Sequence, residues 1–375
     1  MIHGAKISRR YNVYLDNAAS TEVSKNVKEK LIEVLSIYGN PSSQHNEGFK
    51  AKQIITDATD IISDKLNCCF DNIYYTSGAT MSNNLAIQGF IRKNPNCKVL
   101  YSAIEHNDII LMANYFKDNF IKIPVNEEGY IDLCKLSLML LQYYNIPVLV
   151  VIQIANGEIG TIQKIETISK IIHSYKDTYL YCDATQYIPY YKCNIKELDI
   201  DMLGMSGQKI NCIKGIGLLY VKDQNIIDPI IFGEQGLIGG TENIIGIACL
   251  GEAFKNINYD IKELINKRDY FIEQLNKPLI GDKYNRLPNN ICVLFKNTNS
   301  ENFVELLNEY NIYSSAGSAC SSGNPDPSHV LKAIGLNDVD AKSCMRFTIN
   351  NNITYKEIDK TINMINKLYL MIKEK

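Results

Sequence analysis

The sequence alternates short, continuously apolar runs with longer amphipathic stretches over its first two-thirds. Apolar runs that lack a polar residue at every second position are typical of strands buried on both faces. Such strands, alternating with helices, form a mostly parallel sheet that helices cover, so we predict an α/β fold. The predicted strands cover 73–76, 98–103, 147–154, 179–183, 200–205 and 216–221, and the predicted helices cover 49–66, 79–92, 108–116 and 162–175.

The pattern changes near residue 244, where long helices replace the alternation. Helices are predicted over 245–254, 259–275, 302–310 and 355–372, with a strand over 291–295. We therefore predict two domains: a large domain over residues 1–245 that contains the sheet, and a smaller C-terminal α+β domain over residues 246–375.

Composition excludes several classes of protein. A net charge of −2 and the lack of a long basic run argue against direct nucleic-acid binding. The 11 cysteines are scattered without metal-binding spacing, which indicates reduced thiols and no metal site. The longest mostly apolar run, 146–155, is too short to span a membrane. We predict a cytoplasmic protein without a membrane partner.

Two residues at predicted strand ends, Asp183 and Lys209, indicate a particular chemistry. Ligands of α/β sheets bind at the carboxyl ends of the strands. An acid that pairs with a pyridine nitrogen and an amine that bonds to an aldehyde are what pyridoxal phosphate requires. A solvated loop lysine is the alternative interpretation of Lys209.

The turn T-S-G-A-T at 76–80 follows a predicted strand and opens a predicted helix. Small residues at a helix N-terminus let backbone N–H groups approach an anion such as a phosphate. An ordinary helix cap is the alternative, because Ser and Thr are good caps. Ser206 and Thr241 provide further hydroxyl groups that suit a phosphate.

Three other residues carry groups that suit a binding site. His106 follows the strand predicted over 98–103 and is either a solvated loop residue or part of the same site. Cys320 lies among small residues, which suits either a nucleophile or an unused thiol. Arg346 stands among apolar residues and needs an anionic partner, either a structural carboxylate or that of a substrate.

A series of motifs in one order then resembles a known family. The motifs are Y-L-D-N-A-A-S-T (14–21), G-N-P-S-S-Q-H (39–45), Y-T-S-G-A-T-M-S-N-N (75–84), E-H (105–106), D-A-T-Q (183–186), S-G-Q-K (206–209), K-G-I-G-L-L-Y (214–220), G-G-T-E-N (239–243), S-S-A-G-S-A-C-S-S-G (314–323), S-H-V-L-K-A-I-G-L (328–336) and R-F-T (346–348). From about Val13 to near its C-terminus, the chain resembles NifS/IscS-type cysteine desulfurases. These are pyridoxal-phosphate enzymes of the class V aminotransferase, fold-type I group.

The resemblance implies how the cofactor ring is held. Lys209 bonds to the aldehyde and Asp183 pairs with the pyridine nitrogen. Gln186 hydrogen-bonds the ring hydroxyl, and His106 stacks on the ring and moves protons. Asn156 contacts the cofactor and the substrate.

The resemblance also assigns residues to the phosphate and the substrate. The phosphate contacts of the chain itself are Ala79, Thr80, Ser206 and Gln208, and Thr241 reaches the phosphate from the other subunit of a homodimer. Arg346 binds the carboxylate of L-cysteine. Cys320 takes the sulfur as a persulfide, L-alanine is released, and the sulfur passes to an acceptor protein for iron–sulfur cluster assembly or tRNA thiolation.

Four positions depart from the family pattern. Gln208 stands where a histidine is usual, Gly157 replaces an asparagine of N-N-E-x-G, and Ile238 and Phe49 replace arginines. Two alternatives stay open. One is a degenerate, non-catalytic paralogue that acts as a binding partner. The other is a different pyridoxal-phosphate lyase such as a selenocysteine lyase, against which the retained Cys320 argues.

Overall fold

The computed structural model describes residues 12–233, 236–317 and 326–373. Within these ranges the strands are β1 (Val13–Tyr14), β2 (Ile73–Thr76), β3 (Lys98–Ser102), β4 (Phe120–Ile123), β5 (Val148–Gln153), β6 (Thr178–Asp183), β7 (Met202–Ser206), β8 (Gly217–Val221), β9 (Asn290–Leu294), β10 (Ile312–Tyr313) and β11 (Cys344–Thr348). The helices are α1 (Lys25–Val34), α2 (Asn46–Leu66), α3 (Ala79–Lys93), α4 (Asn107–Tyr115), α5 (Leu133–Gln142), α6 (Ile165–Ile172), α7 (Ile195–Leu198), α8 (Ile244–Lys255), α9 (Lys262–Leu275), α10 (Ser300–Glu309), α11 (His329–Ala333), α12 (Asp338–Ala341) and α13 (Tyr355–Lys373). None of the helices in the described ranges combines the length and the apolar character that crossing a membrane requires.

A seven-stranded sheet in the order β2-β8-β7-β6-β5-β3-β4 forms the centre of the larger part of the chain. Strands β3 to β7 run parallel to one another, and β8 is antiparallel to both of its neighbours. All six residues of β5 are buried, as expected for a central strand covered on both faces. The predicted α/β fold with a mostly parallel sheet is confirmed.

Successive residues of β5 enter two different cores because strand side chains alternate between the faces. Val148, Val150 and Ile152 pack in one core with side chains of α1, α2, α5, α6 and α8. Leu149 and Val151 face the other core, with side chains of α3 and α4. Helices therefore cover both faces of the sheet, which leaves the ends of the strands accessible to a ligand.

The remaining strands form two small pairs that pack with α9, α10 and α13. Strands β9 and β11 are antiparallel, and β1 pairs in parallel with β10. The core of this unit includes Phe271, Phe303 and Phe347, and also Val13 and Leu15 from the start of the described chain. The boundary predicted at residue 245 stays a prediction.

The sequence prediction did not include nine of the elements in the described ranges, among them β4, α1 and α5, and it misplaced the ends of α6. Strand β4 is short and lies at the sheet edge, while α1 buries only Val27 and Val34, so both patterns are weak. Helix α5 was also not predicted. Of the helix predicted over 162–175, only the part that forms α6 is helical. The Gln163 N–H donates to the Ile154 carbonyl at 2.8 Å, which keeps the backbone before Ile165 out of the helix.

Candidate active site

A cavity of about 490 Å³ lies at the carboxyl edge of the sheet. It is bounded by the residues that follow β2, β3, β5, β6 and β7, together with Arg346 of β11. The residues predicted from the sequence that line it are Ala79, Thr80, His106, Asn156, Asp183, Gln186, Ser206, Gln208, Lys209 and Arg346. Thr241 is exposed and does not line this cavity, and Cys320 lies outside the described residues.

Asp183 ends β6, and its carboxylate is buried in the cavity wall. One oxygen accepts a hydrogen bond from the Thr185 N–H at 2.9 Å, and the other accepts from the Asn83 amide at 3.4 Å. Burial raises the pKa of Asp183 above its usual value, against the lowering effect of the Thr185 contact. A buried carboxylate with so few donors gains from a cationic partner in the cavity.

Lys209 follows β7 by three residues and lines the cavity. Its Nζ donates to the Ala18 carbonyl at 2.6 Å and also to the Ala19 carbonyl. The Gln186 amide donates to the same Ala18 carbonyl at 2.9 Å. The segment around Ala18 thus brings an amine and an amide together beside Asp183.

His106 caps α4 and lines the cavity with its side chain 45% exposed. Its Nδ1 lies 2.9 Å from Asp108 Oδ1, and the other oxygen of Asp108 accepts from the Asn83 amide at 3.0 Å. Burial raises the pKa of Asp108, but the hydrogen bond and charge of His106, together with the hydrogen bonds of Asn83 and Thr80, outweigh it, so the net pKa is lowered. Asn83 therefore links Asp108 and Asp183, and an ionised Asp108 orients the imidazole.

The start of α3 forms the part of the cavity that suits a phosphate group. Gly78 precedes the helix at φ +146°, a conformation that glycine adopts without strain, and no side chain caps the helix N-terminus. Ser206 Oγ lies 3.4 Å from the point that a Cβ of Gly78 would occupy. Thr80 and Gln208 complete this side of the cavity. Uncapped N–H groups beside a hydroxyl suit an anion.

Arg346 is almost fully buried in β11, where its guanidinium has protein partners on two sides. Its Nη2 lies 2.8 Å from Asp16 Oδ1, and Nη1 donates to the Gly157 carbonyl at 3.2 Å. The structural carboxylate considered in the sequence analysis is therefore Asp16. Because Arg346 also lines the cavity, Asp16 holds the guanidinium in place without removing it from the site.

The turn after β5, residues 156–160, contains Gly157, one of the four departures from the family pattern. The side-chain oxygen of Asn156, Oδ1, accepts hydrogen bonds from the Glu158 and Ile159 N–H groups at 2.8 and 2.9 Å. Asn156 thus shapes the turn as well as lining the cavity. A Cβ on Gly157 would lie only 2.9 Å from Gln186 Nε2, so Gln186 fills the space that a side chain at 157 would need.

Sequence reasoning assigned no role to three residues that also line the cavity, Glu105, Glu158 and His329. Glu105 is buried, and burial raises its pKa well above the usual value. His329 Nε2 lies 2.9 Å from the Glu105 carbonyl oxygen. Each of these residues belongs to a motif quoted in the sequence analysis, so the signal was present, but only the fold shows that the motifs meet.

Comparison with known proteins identifies the group to which this site belongs. The family model for aminotransferase class-V matches residues 13–361. The chain belongs to the class-V aminotransferase family. Within that family it is similar to a protein named cysteine desulfurase IscS from Dictyoglomus turgidum, with 34% identity over 374 residues, 95% of this chain and 94% of that protein.

Solved structures agree with this assignment. A NifS-like protein superposes with a TM-score of 0.88 and 27% identity over 96% of this chain and 100% of the other. A structure described as SspA in complex with cysteine has a TM-score of 0.79 and 31% identity over 90% of this chain and 98% of the other. The architecture is that of the fold-type I enzymes that use pyridoxal phosphate.

Class-V aminotransferases use pyridoxal phosphate, and the residues of this cavity fit that cofactor. The raised pKa of the buried Asp183 means that a protonated ring nitrogen would relieve an unfavourable burial. The uncapped start of α3 suits the phosphate group. Lys209 supplies the amine on the same wall of the cavity.

Proposed function

We propose that this chain is a pyridoxal-phosphate-dependent cysteine desulfurase that converts L-cysteine to L-alanine and takes the sulfur on Cys320. The observation that carries the proposal is the meeting of Asp183, Lys209 and Arg346 in one cavity of a class-V aminotransferase. These groups suit a pyridine nitrogen, an aldehyde and a substrate carboxylate. Names of the relatives support the substrate, since one is a cysteine desulfurase and one solved relative holds cysteine.

In this proposal the cofactor is held at three places. Asp183 pairs with the ring nitrogen, and Gln186 and Asn156 contact the ring. The backbone of the α3 N-terminus, with Thr80 and Ser206, holds the phosphate, and Gln208 adds a hydrogen bond where a histidine would add charge. When bound, pyridoxal phosphate withdraws electrons from the substrate carbon that carries the amino group.

Arg346 binds the substrate carboxylate because guanidinium groups recognise carboxylates bidentately. Its pair with Asp16 at 2.8 Å fixes the direction of the fork before the substrate arrives. Asn156 contacts the substrate from the turn after β5.

Proton movement falls to Lys209 and His106. The Lys209 amine removes the proton from the substrate carbon next to the carboxylate, and the imidazole of His106, oriented by Asp108, receives and returns protons at the sulfur side. The Cys320 thiolate then forms an S–S bond to the substrate sulfur. The C–S bond breaks with its electron pair on the side-chain carbon, which takes up a proton. The Lys209 ammonium returns a proton to the carbon next to the carboxylate, and L-alanine leaves.

The partners belong to the same proposal. A homodimer would let Thr241 reach the phosphate of the other subunit, which accounts for its exposure in the single chain. The exposed side chains Leu111, Tyr115 and Phe232 offer apolar area for the interface. The described cysteines are all free, which suits the reducing cytoplasm. The persulfide passes to an acceptor protein for iron–sulfur cluster assembly or tRNA thiolation.

The direct test uses purified protein with pyridoxal phosphate, L-cysteine and a reductant. We expect an absorbance band for the lysine-bound cofactor that borohydride removes, together with equal amounts of alanine and sulfide. Lys209→Ala is the matched control and should lose both signals. Alanine at the level of that control would overturn the proposal, and a missing absorbance band would favour the non-catalytic binding protein.

A further inference from the structure

Asn83 lies fully buried on α3, between the acids Asp108 and Asp183. Its Nδ2 donates to Asp108 Oδ2 at 3.0 Å and to Asp183 Oδ2 at 3.4 Å. The other oxygen of Asp183 accepts from the Thr185 N–H at 2.9 Å. The other oxygen of Asp108 lies 2.9 Å from His106 Nδ1. One amide group therefore serves two carboxylates of the site.

The direction of the Asn83 amide is fixed by Tyr181. Tyr181 precedes Asp183 by two positions in β6, so both side chains leave the same face of the strand. The Tyr181 hydroxyl donates to Asn83 Oδ1. Burial raises the pKa of Tyr181 well above its usual value, so the phenol keeps the proton that this bond needs. Because its oxygen is bonded to the hydroxyl, Asn83 presents its NH₂ group to the two acids.

Strand β7 leaves room for the Tyr181 hydroxyl. Gly204 of β7 stands opposite Asp183 in the sheet, and a Cβ on Gly204 would collide with the hydroxyl. The same Cβ would lie 3.0 Å from the Ser82 Cβ. A buried polar network whose groups have partners is held in one arrangement. Strands β6 and β7 and helix α3 thus all contribute to the direction of the Asn83 amide.

We propose that Asn83 is a positioning residue for the cofactor, because its amide holds the Asp183 carboxylate in the direction of the ring nitrogen. The inference rests on the proposed function, in which Asp183 pairs with that nitrogen. Asn83 is fully buried, so it acts through Asp183 and does not touch the cofactor or the substrate. Asp108 and Tyr181 are the supports that keep the amide in place.

The shared amide also keeps two like charges close together. Burial and then the charge of Asp108 raise the pKa of Asp183. The hydrogen bond from Asn83 is among the contacts that lower the pKa of Asp108. A donor that bonds to both carboxylates favours the charged form of both. Asp183 can then carry the negative charge that a protonated ring nitrogen needs.

The test measures cofactor binding and needs no turnover. The apoprotein is titrated with pyridoxal phosphate, and the absorbance of the lysine-bound cofactor gives the dissociation constant. We expect Asn83→Ala to weaken binding by about 10-fold, because a hydrogen bond to a charged group is lost. The absorbance maximum depends on whether the ring nitrogen is protonated. In Asn83→Ala it should shift toward the maximum of Asp183→Asn.

A double-mutant cycle separates positioning from a general disturbance of the fold. In an Asp183→Asn background the charged acid that Asn83 holds is absent. Asn83→Ala should then weaken cofactor binding by less than about twofold further. A disturbance that does not act through Asp183 would instead weaken binding by the same factor in both backgrounds.

Two further variants complete the test. Tyr181→Phe removes the hydroxyl that fixes the amide and keeps the ring in the core, so it should weaken binding by about threefold. This loss should also disappear in the Asp183→Asn background. Asn94→Ala is the matched control, because the Asn94 amide donates to the Phe90 carbonyl at 3.2 Å at the other end of α3. It should leave both the dissociation constant and the absorbance maximum at their wild-type values.

A wild-type dissociation constant in Asn83→Ala would overturn the inference, and so would an equal loss in both backgrounds. If Asn83→Ala does not fold, Tyr181→Phe decides, and unchanged binding in that variant overturns the inference. Failure of the proposed function looks different. The wild-type protein would then bind the cofactor and form no alanine, and the comparison of dissociation constants would still stand. A wild-type protein without the absorbance band would overturn both.

Discussion

The acids at the carboxyl edge and at the amino edge of the large sheet differ in whether they have a cationic partner. At the carboxyl edge Glu105, Glu158 and Asp183 are buried, and burial raises the pKa of each. Glu105 and Glu158 each leave one oxygen without a partner among the described residues. No lysine or arginine forms an ion pair with these three acids in the part of the chain that the structure describes.

At the amino edge Asp199 and Asp201 are paired within the protein. His173 contacts Asp201 at 2.8 Å and Asp199 at 3.0 Å, and Lys222 contacts Asp199 at 2.8 Å. The hydrogen bond from Lys222 is the largest cause of the lowered pKa of Asp199. Asp201 also accepts from the Leu180 N–H at 2.8 Å, which ties β6 to β7.

The difference shows where the protein has kept room for a ligand. Buried acids that lack a cation are unfavourable in the folded chain, and such groups concentrate at functional sites. Acids that already have a cationic partner within the protein contribute to stability and do not need a ligand as a partner. Removing a charge should therefore cost activity at the carboxyl edge and stability at the amino edge.

The largest expected effect is that of Asp183→Asn. The variant should lose about 100- to 1,000-fold in alanine formation, because the ring nitrogen loses its anionic partner. Its unfolding free energy should change by less than about 1 kcal/mol, since burying the charged form was unfavourable in itself. Enzyme assays and urea unfolding measure the two quantities.

Asp201→Asn is the matched control, because Asp201 directly precedes the neighbouring strand β7 at the opposite edge. It should keep alanine formation within about twofold and lose about 1 to 2 kcal/mol, because a charge-assisted hydrogen-bond acceptor is removed. The comparison breaks if Asp201→Asn loses activity as Asp183→Asn does.

Glu158→Gln tests whether the carboxyl edge is unfavourable for charge. The pKa of Glu158 rises from 4.5 to about 7 on folding, so its contribution to stability is full below pH 4.5 and is lost as the pH rises to about 7. The unfolding free energy of wild type minus that of the variant should fall by on the order of 3 kcal/mol as the pH rises from 4.5 to about 7. Urea unfolding at pH 4.5 and 7.5 measures it, and parallel pH curves would contradict the shift.

Arg346→Lys tests the guanidinium that lines the cavity and pairs with Asp16. Lysine keeps a positive charge for Asp16 but not the planar fork that binds a carboxylate in two places. We expect the KM for L-cysteine to rise by about 10- to 100-fold. The absorbance of the bound cofactor, which Arg346 is not proposed to contact, serves as the control. A KM within twofold of wild type would argue for a purely structural arginine.

The smallest effect belongs to His173→Gln at the amino edge. The hydrogen bond to Asp201 raises the pKa of His173, so its contribution is present below pH 6.5 and is lost as the pH rises through the folded value. The variant should be less stable than wild type by under about 1 kcal/mol at pH 5.5 and as stable as wild type at pH 8.5. Alanine formation should stay at the wild-type level. A loss that is equal at both pH values would show that packing, not charge, is responsible.

Much of the fold could be predicted because buried strands and helices have a recognisable pattern of apolar residues in the sequence. Every predicted strand of the large sheet is present within about two residues, since a strand buried on both faces needs a continuous apolar run. Strand β4 and helix α1 escaped prediction because few of their residues are buried. Weak burial produces a weak pattern.

The sequence by itself determined the chemistry available: an acid and an amine beyond strand ends, a small-residue turn before a helix, and motifs of one family in order. Only the tertiary structure decided which groups meet. Asp16 and Arg346 are 330 positions apart yet form an ion pair, and Glu158 bonds Ser328 across 170 positions. Local patterns record burial, but contacts between distant segments depend on strand order and register, which no short stretch of sequence carries.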